Sequence, residues 1–182
     1  MYGLVNRAIE QLVVSIKGEE GWDRVCQRAG WADQGFVAMQ PYDDAVTYRL
    51  VGAVSEELGL PAHEVLKAFG EYWILYTAEE GYGEMLAMCG DDLLGFLRGM
   101  NHMHARIEVS MPHIRPPDFE VNELSATEFE LVYQSHREGL APMVEGLITG
   151  LAKRFGQQVE IKHTVLRDGE SKPDRFHIRI LH

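Results

Sequence analysis

Three side chains able to grip an anion stand at every second position of "ELVYQSHREGLAPM": Tyr133, Ser135 and Arg137. Read as a strand, this segment puts a phenol, a hydroxyl and a guanidinium on one face, about 6.6–7 Å apart. Such a comb suits two carboxylates held several ångströms apart, with the arginine making the strongest, charge-assisted bonds. The same spacing also describes a surface strand of mixed polar residues. A second candidate lies upstream in "NHMHARI". Helical residues advance by about 100°, so His102 and His104 point to different sides of one helix. His104 follows Met100 by four and falls on the apolar stripe, whereas His102 joins Arg98 on the polar side. An imidazole aimed at an apolar interior either satisfies a core hydrogen bond or binds something. Glu108 turns toward solvent and no other ligand-type residue shares the face, so a multi-ligand zinc or non-haem iron site is disfavoured. A planar metal macrocycle, which carries four ligands of its own, needs one such histidine.

The elements that must position these residues change period midway. Val5, Ala8, Ile9, Leu12, Val13 and Ile16 recur at helical spacing until "KGEEG" breaks the pattern. A short helix from Trp22 to Ala29 is predicted next, then helices over "DDAVTYRLVGAVSEELGL" and "PAHEVLKAFGEYWILYT". A fifth, capped by Asp91, runs through "LLGFLRGMNHMHARIEV" to the prolines of "MPHIRPPDF". Beyond it the period becomes two. "EFELVYQSHR", "QVEIKHTVLR" and "DRFHIRIL" read as strands, "FEVNEL" as a weaker one, and "DGESKP" as a turn. An amphipathic helix, "LAPMVEGLITGLAKRF", follows the first long strand. The fold class is α+β: an N-terminal helical lobe, about 1–60, then a lobe of about 61–182 with helices on a roughly four-stranded antiparallel sheet. The 182 residues fit one domain with room for a small-molecule cavity.

Composition narrows the partners. A formal net charge of −11 repels phosphate backbones, which argues against nucleic acid and anionic membranes. Cys26 and Cys89 lie 63 positions apart without CxxC or CxxCH, which disfavours a cysteine zinc site or covalent haem. Charges at Arg7 and Glu10 interrupt any secretory signal, and "YWILYTA" is too short to span a bilayer. A cytoplasmic, reducing location is expected.

Together, "MYGLVNRAIE", "FGEYWILYT", "GMNHMHARI", "RPPDFE" and "YQSHREGLAPMVEGL" resemble the H-NOX (haem nitric oxide/oxygen-binding) family, which includes the haem domain of soluble guanylate cyclase. The resemblance spans essentially the whole chain, and Tyr-x-Ser-x-Arg about thirty residues after a helical histidine is specific to that family. It implies non-covalent haem b buried between the lobes, with His104 as the iron ligand. Tyr133, Ser135 and Arg137 would hold the propionates, and Pro117 and Val5 would press on the macrocycle. Trp73, Met100, Met143 and Leu147 complete the implied pocket. Oxygen-binding relatives carry a distal tyrosine in the helix after the motif. Here Pro142 and Met143 occupy that region, and no tyrosine appears from Glu138 through Gln158. The resemblance therefore implies a sensor of nitric oxide, with carbon monoxide as a second ligand, in which the gas releases His104 and the relaxing haem turns the N-terminal lobe. A stand-alone, non-enzymatic sensor acting in trans on a histidine kinase or a cyclic-di-GMP enzyme is expected. Three alternatives stay open: oxygen binding through the Trp73 indole, a haem peroxidase, and a haem-free interaction module.

Overall fold

A computed structural model describes residues 1–32, 35–111, 113–165 and 173–181. Helix α1 (Gly3–Ala29) is interrupted at Gly18, whose φ of 69° and ψ of −179° are not helical. The break expected at "KGEEG" is therefore present as a kink, and a left-handed Gly30 ends the helix. Helix α2 (Asp44–Leu58) starts where the Asp43 carboxylate accepts a hydrogen bond from the Ala45 N–H at 2.9 Å. Helix α3 (Ala62–Thr77) continues into a π-helical turn over Ala78–Tyr82 and a short α4 (Gly83–Ala87), neither of which periodicity predicted. Gly81, inside the π-helical turn, adopts φ 93°, and Gly83 opens α4. Helix α5 (Leu93–Ser110) is capped by Asp92 rather than Asp91: its carboxylate accepts from the Gly95 N–H at 2.6 Å.

Strands β1 (Asp118–Glu123), β2 (Glu128–Gln134), β3 (Gln158–Val165) and β4 (Asp174–Leu181) form one antiparallel sheet in the order β1-β2-β4-β3. Helix α6 (Ala141–Arg154) connects β2 to β3. The predicted α+β architecture is observed. The "DGESKP" turn lies outside the described residues.

Alternation along β2 buries Phe129, Leu131 and Tyr133, which join Leu97, Met100 and Ile148 in the sheet-side core. A second core, around Ala8, Val13, Leu50 and Val54, unites α1 and α2. Helix α3 serves both, through Val65 and Phe69 on one side and Ile74 on the other. Its crossing with α6 depends on missing side chains. A Cβ on Gly70 would strike the Met143 carbonyl, and one on Gly146 would strike that of Lys67. The backbones touch, which fixes α6 over the smaller cavity described below.

The part of α1 beyond the kink is tied to α2 by Glu57, whose carboxylate accepts from Arg24 Nε at 2.9 Å and pairs with Arg28. Bonds from Arg24 and then Arg28 hold its pKa down to about 2. Because the folded value is depressed, the tie stabilises the fold above the unfolded carboxyl's 4.5 and is lost as pH falls toward 2. A Glu57→Gln protein should therefore lose less melting temperature than the parent between about pH 6 and about pH 3. Thermal melts at both pH values test this; parallel losses would refute it.

Candidate functional site

Near the middle of α5, the Asn101 amide bridges to β1. Its Nδ2 donates to the Phe119 carbonyl at 2.9 Å, and its Oδ1 accepts from the Phe119 N–H at 3.1 Å. This reciprocal pair locks α5 against the strand three residues before His104, and sequence reasoning missed it. The His104 ring lies 5.9 Å from that of Phe119, which lies 5.4 Å from that of Tyr133.

His104 Nδ1 sits 3.2 Å from the Pro117 carbonyl oxygen. A carbonyl can only accept, so Nδ1 carries the proton and Nε2 keeps its lone pair. Metal-bound histidines are oriented in this way by outer-shell acceptors. Burial lowers the pKa of His104 despite that hydrogen bond and the nearby acids Glu108 and Asp118, so the ring is neutral at pH 7, the form that ligates.

The ring lines a cavity of about 610 Å³ between the N-terminal segment and α5, together with Val5, Trp73, Pro117 and Arg137. Sequence reasoning also missed Leu4, Tyr42, Asp44, Tyr82, Ile107 and Met111 on its wall. A second cavity of about 140 Å³ shares Val5, Pro117 and Arg137 with the first. Tyr133, Ser135, Met143 and Leu147 line it. Met100 lines neither; it is buried against the sheet, one turn from His104, in the core with Leu97 and Leu131.

The expected comb is only partly a strand. β2 ends at Gln134, where pairing with β1 and β4 stops. Ser135 Oγ then accepts from the Arg137 N–H at 3.1 Å, a turn that a hydroxyl two residues back favours. Tyr133 is hydrogen-bonded with Ser135, and burial raises its pKa, so the phenol stays protonated.

Arg137 reaches across to α2. Its Nε donates to Asp44 Oδ2 at 2.8 Å, its Nη2 to Asp44 Oδ1 at 3.4 Å and its Nη1 to the Arg115 carbonyl at 2.9 Å. Burial alone would raise the Asp44 pKa, but the amino group of Met1 and Arg137 hold it below the usual range. Asp44 is therefore an anion that links α2 to the segment after β2. The doubled acids "DD" at the start of α2 were its only sequence signal: Asp43 caps the helix, which leaves Asp44 free for another task.

Among the described residues, no three His, Cys, Asp or Glu side chains gather to hold a metal. One neutral imidazole facing a large, mostly apolar cavity, with arginine and hydroxyl donors near its edge, suits a cofactor that brings its own metal and carries acidic tails. These features suit a haem.

Comparison with known proteins agrees. The family model described as Haem-NO-binding matches residues 2–163. The chain belongs to that family, whose members are haem-binding gas-sensing domains related to soluble guanylate cyclase. Soluble guanylate cyclases gcy-35 and gcy-32 of Caenorhabditis elegans are 30% and 31% identical to it over 159 and 157 residues, 85% of this chain in each case. The chain spans 23% of the length of each of these relatives. Among solved structures, an H-NOX protein from S. oneidensis in the Fe(II)NO state superposes with a TM-score of 0.88 at 22% identity, over 100% of both chains. An oxygen-binding H-NOX domain, in its oxygen complex, superposes with a TM-score of 0.84 at 21% identity, over 100% of this chain and 96% of that one.

Proposed function

We propose that the chain is a haem b sensor of nitric oxide, with His104 as the iron ligand. One observation carries this reading: the Pro117 carbonyl holds His104 Nδ1 and leaves Nε2 for the cavity. Haem, when bound, supplies the ferrous iron at which diatomic gases are held. Val5 and Pro117, which line both cavities, are the residues placed to press on a flat ring. Tyr133, Ser135 and Arg137 hold its carboxylates, while Met143 and Leu147 shape the gas side.

The preference for nitric oxide rests on the smaller cavity. Its wall beside α6 is apolar: Ile9, Phe69, Met143, Val144 and Leu147. The hydroxyls that line the cavity are already engaged: Tyr133 is hydrogen-bonded with Ser135, whose Oγ accepts from the Arg137 N–H. Thr47 donates to Asn6 Oδ1 at 2.7 Å, and Tyr48 donates to the Glu138 carbonyl at 3.0 Å. Bound oxygen gains negative charge and needs a donor, whereas nitric oxide depends on one far less. The oxygen-binding reading has one observation in its favour: Trp73 lines the same cavity as His104, packed at 5.9 Å from Phe69 and 6.0 Å from Tyr76.

Residues 1–182 act in this proposal as one sensor unit, with an N-terminal lobe of about 1–60 moving against the rest. Release of His104 frees α5, and the Arg137–Asp44 contact conveys the change to α2. Such a switch needs two states that differ by a few kcal/mol. The output is a cytoplasmic histidine kinase, a cyclic-di-GMP enzyme or, as the relatives suggest, a cyclase. No described helix is long and apolar enough to cross a membrane.

Absorption spectra of the ferrous protein under argon, nitric oxide, carbon monoxide and air test the proposal. Shifts with nitric oxide and carbon monoxide, but none in air before oxidation, are expected. A stable oxygen complex would transfer the assignment to Trp73 and oxygen. A colourless protein after haem reconstitution would end it.

A further inference from the structure

Along α5, at the edge of the sheet-side core that Cys89 joins, lies a cleft of about 470 Å³ between α4 and α5. Met85, Met88, Cys89, His102 and Met103 all line it. Four of these five side chains carry sulfur, the soft end of the protein's ligand repertoire, and the fifth carries an imidazole. The Cys89 segment is pressed onto the helix at Gly99, where a Cβ would strike the Cys89 carbonyl. That contact brings Cys89 Sγ to 3.6 Å from Met103 Sδ. Two sulfurs bound to one tetrahedral ion at about 2.3 Å each would stand about 3.8 Å apart. The pair is thus already near the spacing of two ligands on one metal.

We infer that this cleft is a binding site for a soft monovalent cation of the Cu(I) type, held by the Cys89 thiolate and the Met103 thioether. Met85 and His102 supply the remaining positions from the same walls. Charge selects the monovalent ion. Arg98 and Arg106 border the cleft, so a divalent ion on one thiolate would add net positive charge beside two guanidiniums. A monovalent ion on that thiolate is neutral. Arg98 is further paired with Glu123, and Arg106 Nη1 lies 3.5 Å from Met88 Sδ. Thioethers bind hard cations poorly, which excludes magnesium and calcium. On binding, the Cys89 S–H bond breaks and its proton leaves to solvent. The thiolate and the Met103 sulfur each donate a lone pair, and no electron changes hands.

The site is distinct in chemistry from the His104 cavity, although Met85 and Met103 border both. The test is native mass spectrometry of the reduced full chain titrated with Ag(I), a redox-inert analogue, against a competing thiol. One Ag(I) per chain is expected for the parent and for Cys26→Ser, which removes the other thiol. Met103→Leu, which keeps the volume of the side chain, should weaken binding at least tenfold, and Cys89→Ser should abolish it. Melting temperatures of both variants verify folding. Retention of parent affinity in Met103→Leu would show a lone thiol rather than a shared site and would overturn the inference. So would loss of the adduct in Cys26→Ser.

Discussion

The His104→Gly protein is expected to lose its axial ligand, so that its ferrous spectrum departs from the parent's and responds to added imidazole. Glycine deletes the whole ring from a half-buried position of α5 and leaves a hole the size of the missing imidazole against the larger cavity. Free imidazole can refill that hole, but it cannot use the chain to hold itself there. Haem affinity should therefore drop by more than the roughly 10–100-fold that loss of an outer-shell partner costs. His102→Gly is the matched control. It lies on the same helix but is exposed and lines the cleft on the other side. Its ferrous spectrum should match the parent's. An unchanged Soret band in His104→Gly would mean that iron is held elsewhere.

That prediction was accessible from sequence because a helical stripe encodes direction. Leu97, Met100 and His104 fall on one side at spacings of three and four, and the structure places all three on the inward side of α5. What the stripe does not encode is which neighbour each residue meets. A 100° step separates Met103 from His104, and both line the larger cavity, whereas Met100 turns to the sheet. The helix passes from one core to a cavity wall within a single turn, and periodicity sees both as apolar.

The Tyr-x-Ser-x-Arg segment misleads for a different reason. Exposure still alternates from Tyr133 through Arg137, although the ladder ends at Gln134. A period of two therefore extends past the strand into a turn held by Ser135. The warning sign was compositional: "SHREGL" carries no β-branched residue and includes Gly139, which adopts φ 76° in the structure. The π-helical turn and α4 were invisible because five-residue elements give too few repeats for a period to register. Asn101 escaped because its work is a contact with a strand 18 residues away, which no local pattern records.

Replacement of Arg137 by alanine should have the second-largest effect, and it separates the link that this guanidinium makes to α2 from the anchor role proposed for it. Arg137 has five N–H donors. Its contacts with Asp44 and the Arg115 carbonyl use three, one each from Nε, Nη1 and Nη2. The other two remain for a ligand's carboxylates without breaking the link to α2. If Arg137 serves both purposes, Arg137→Ala removes a carboxylate anchor and the link together, whereas Asp44→Ala removes the link and the Asp44 pair with the Met1 amino group but leaves the anchor. The guanidinium is 16% exposed and Asp44 32%, so solvent already screens the pair. About 1 kcal/mol of stability is the expected cost of Asp44→Ala, less than for a fully buried ion pair. Haem transfer to an excess of a scavenging apoprotein should then run at least about tenfold faster from Arg137→Ala, equivalent to about 1.4 kcal/mol, and within about threefold of the parent rate from Asp44→Ala. Equal acceleration in both would make the interlobe link, not the anchor, the reason that haem stays. Parent-like transfer from Arg137→Ala would remove the guanidinium from the pocket's function altogether and leave Tyr133 and Ser135 to hold the carboxylates.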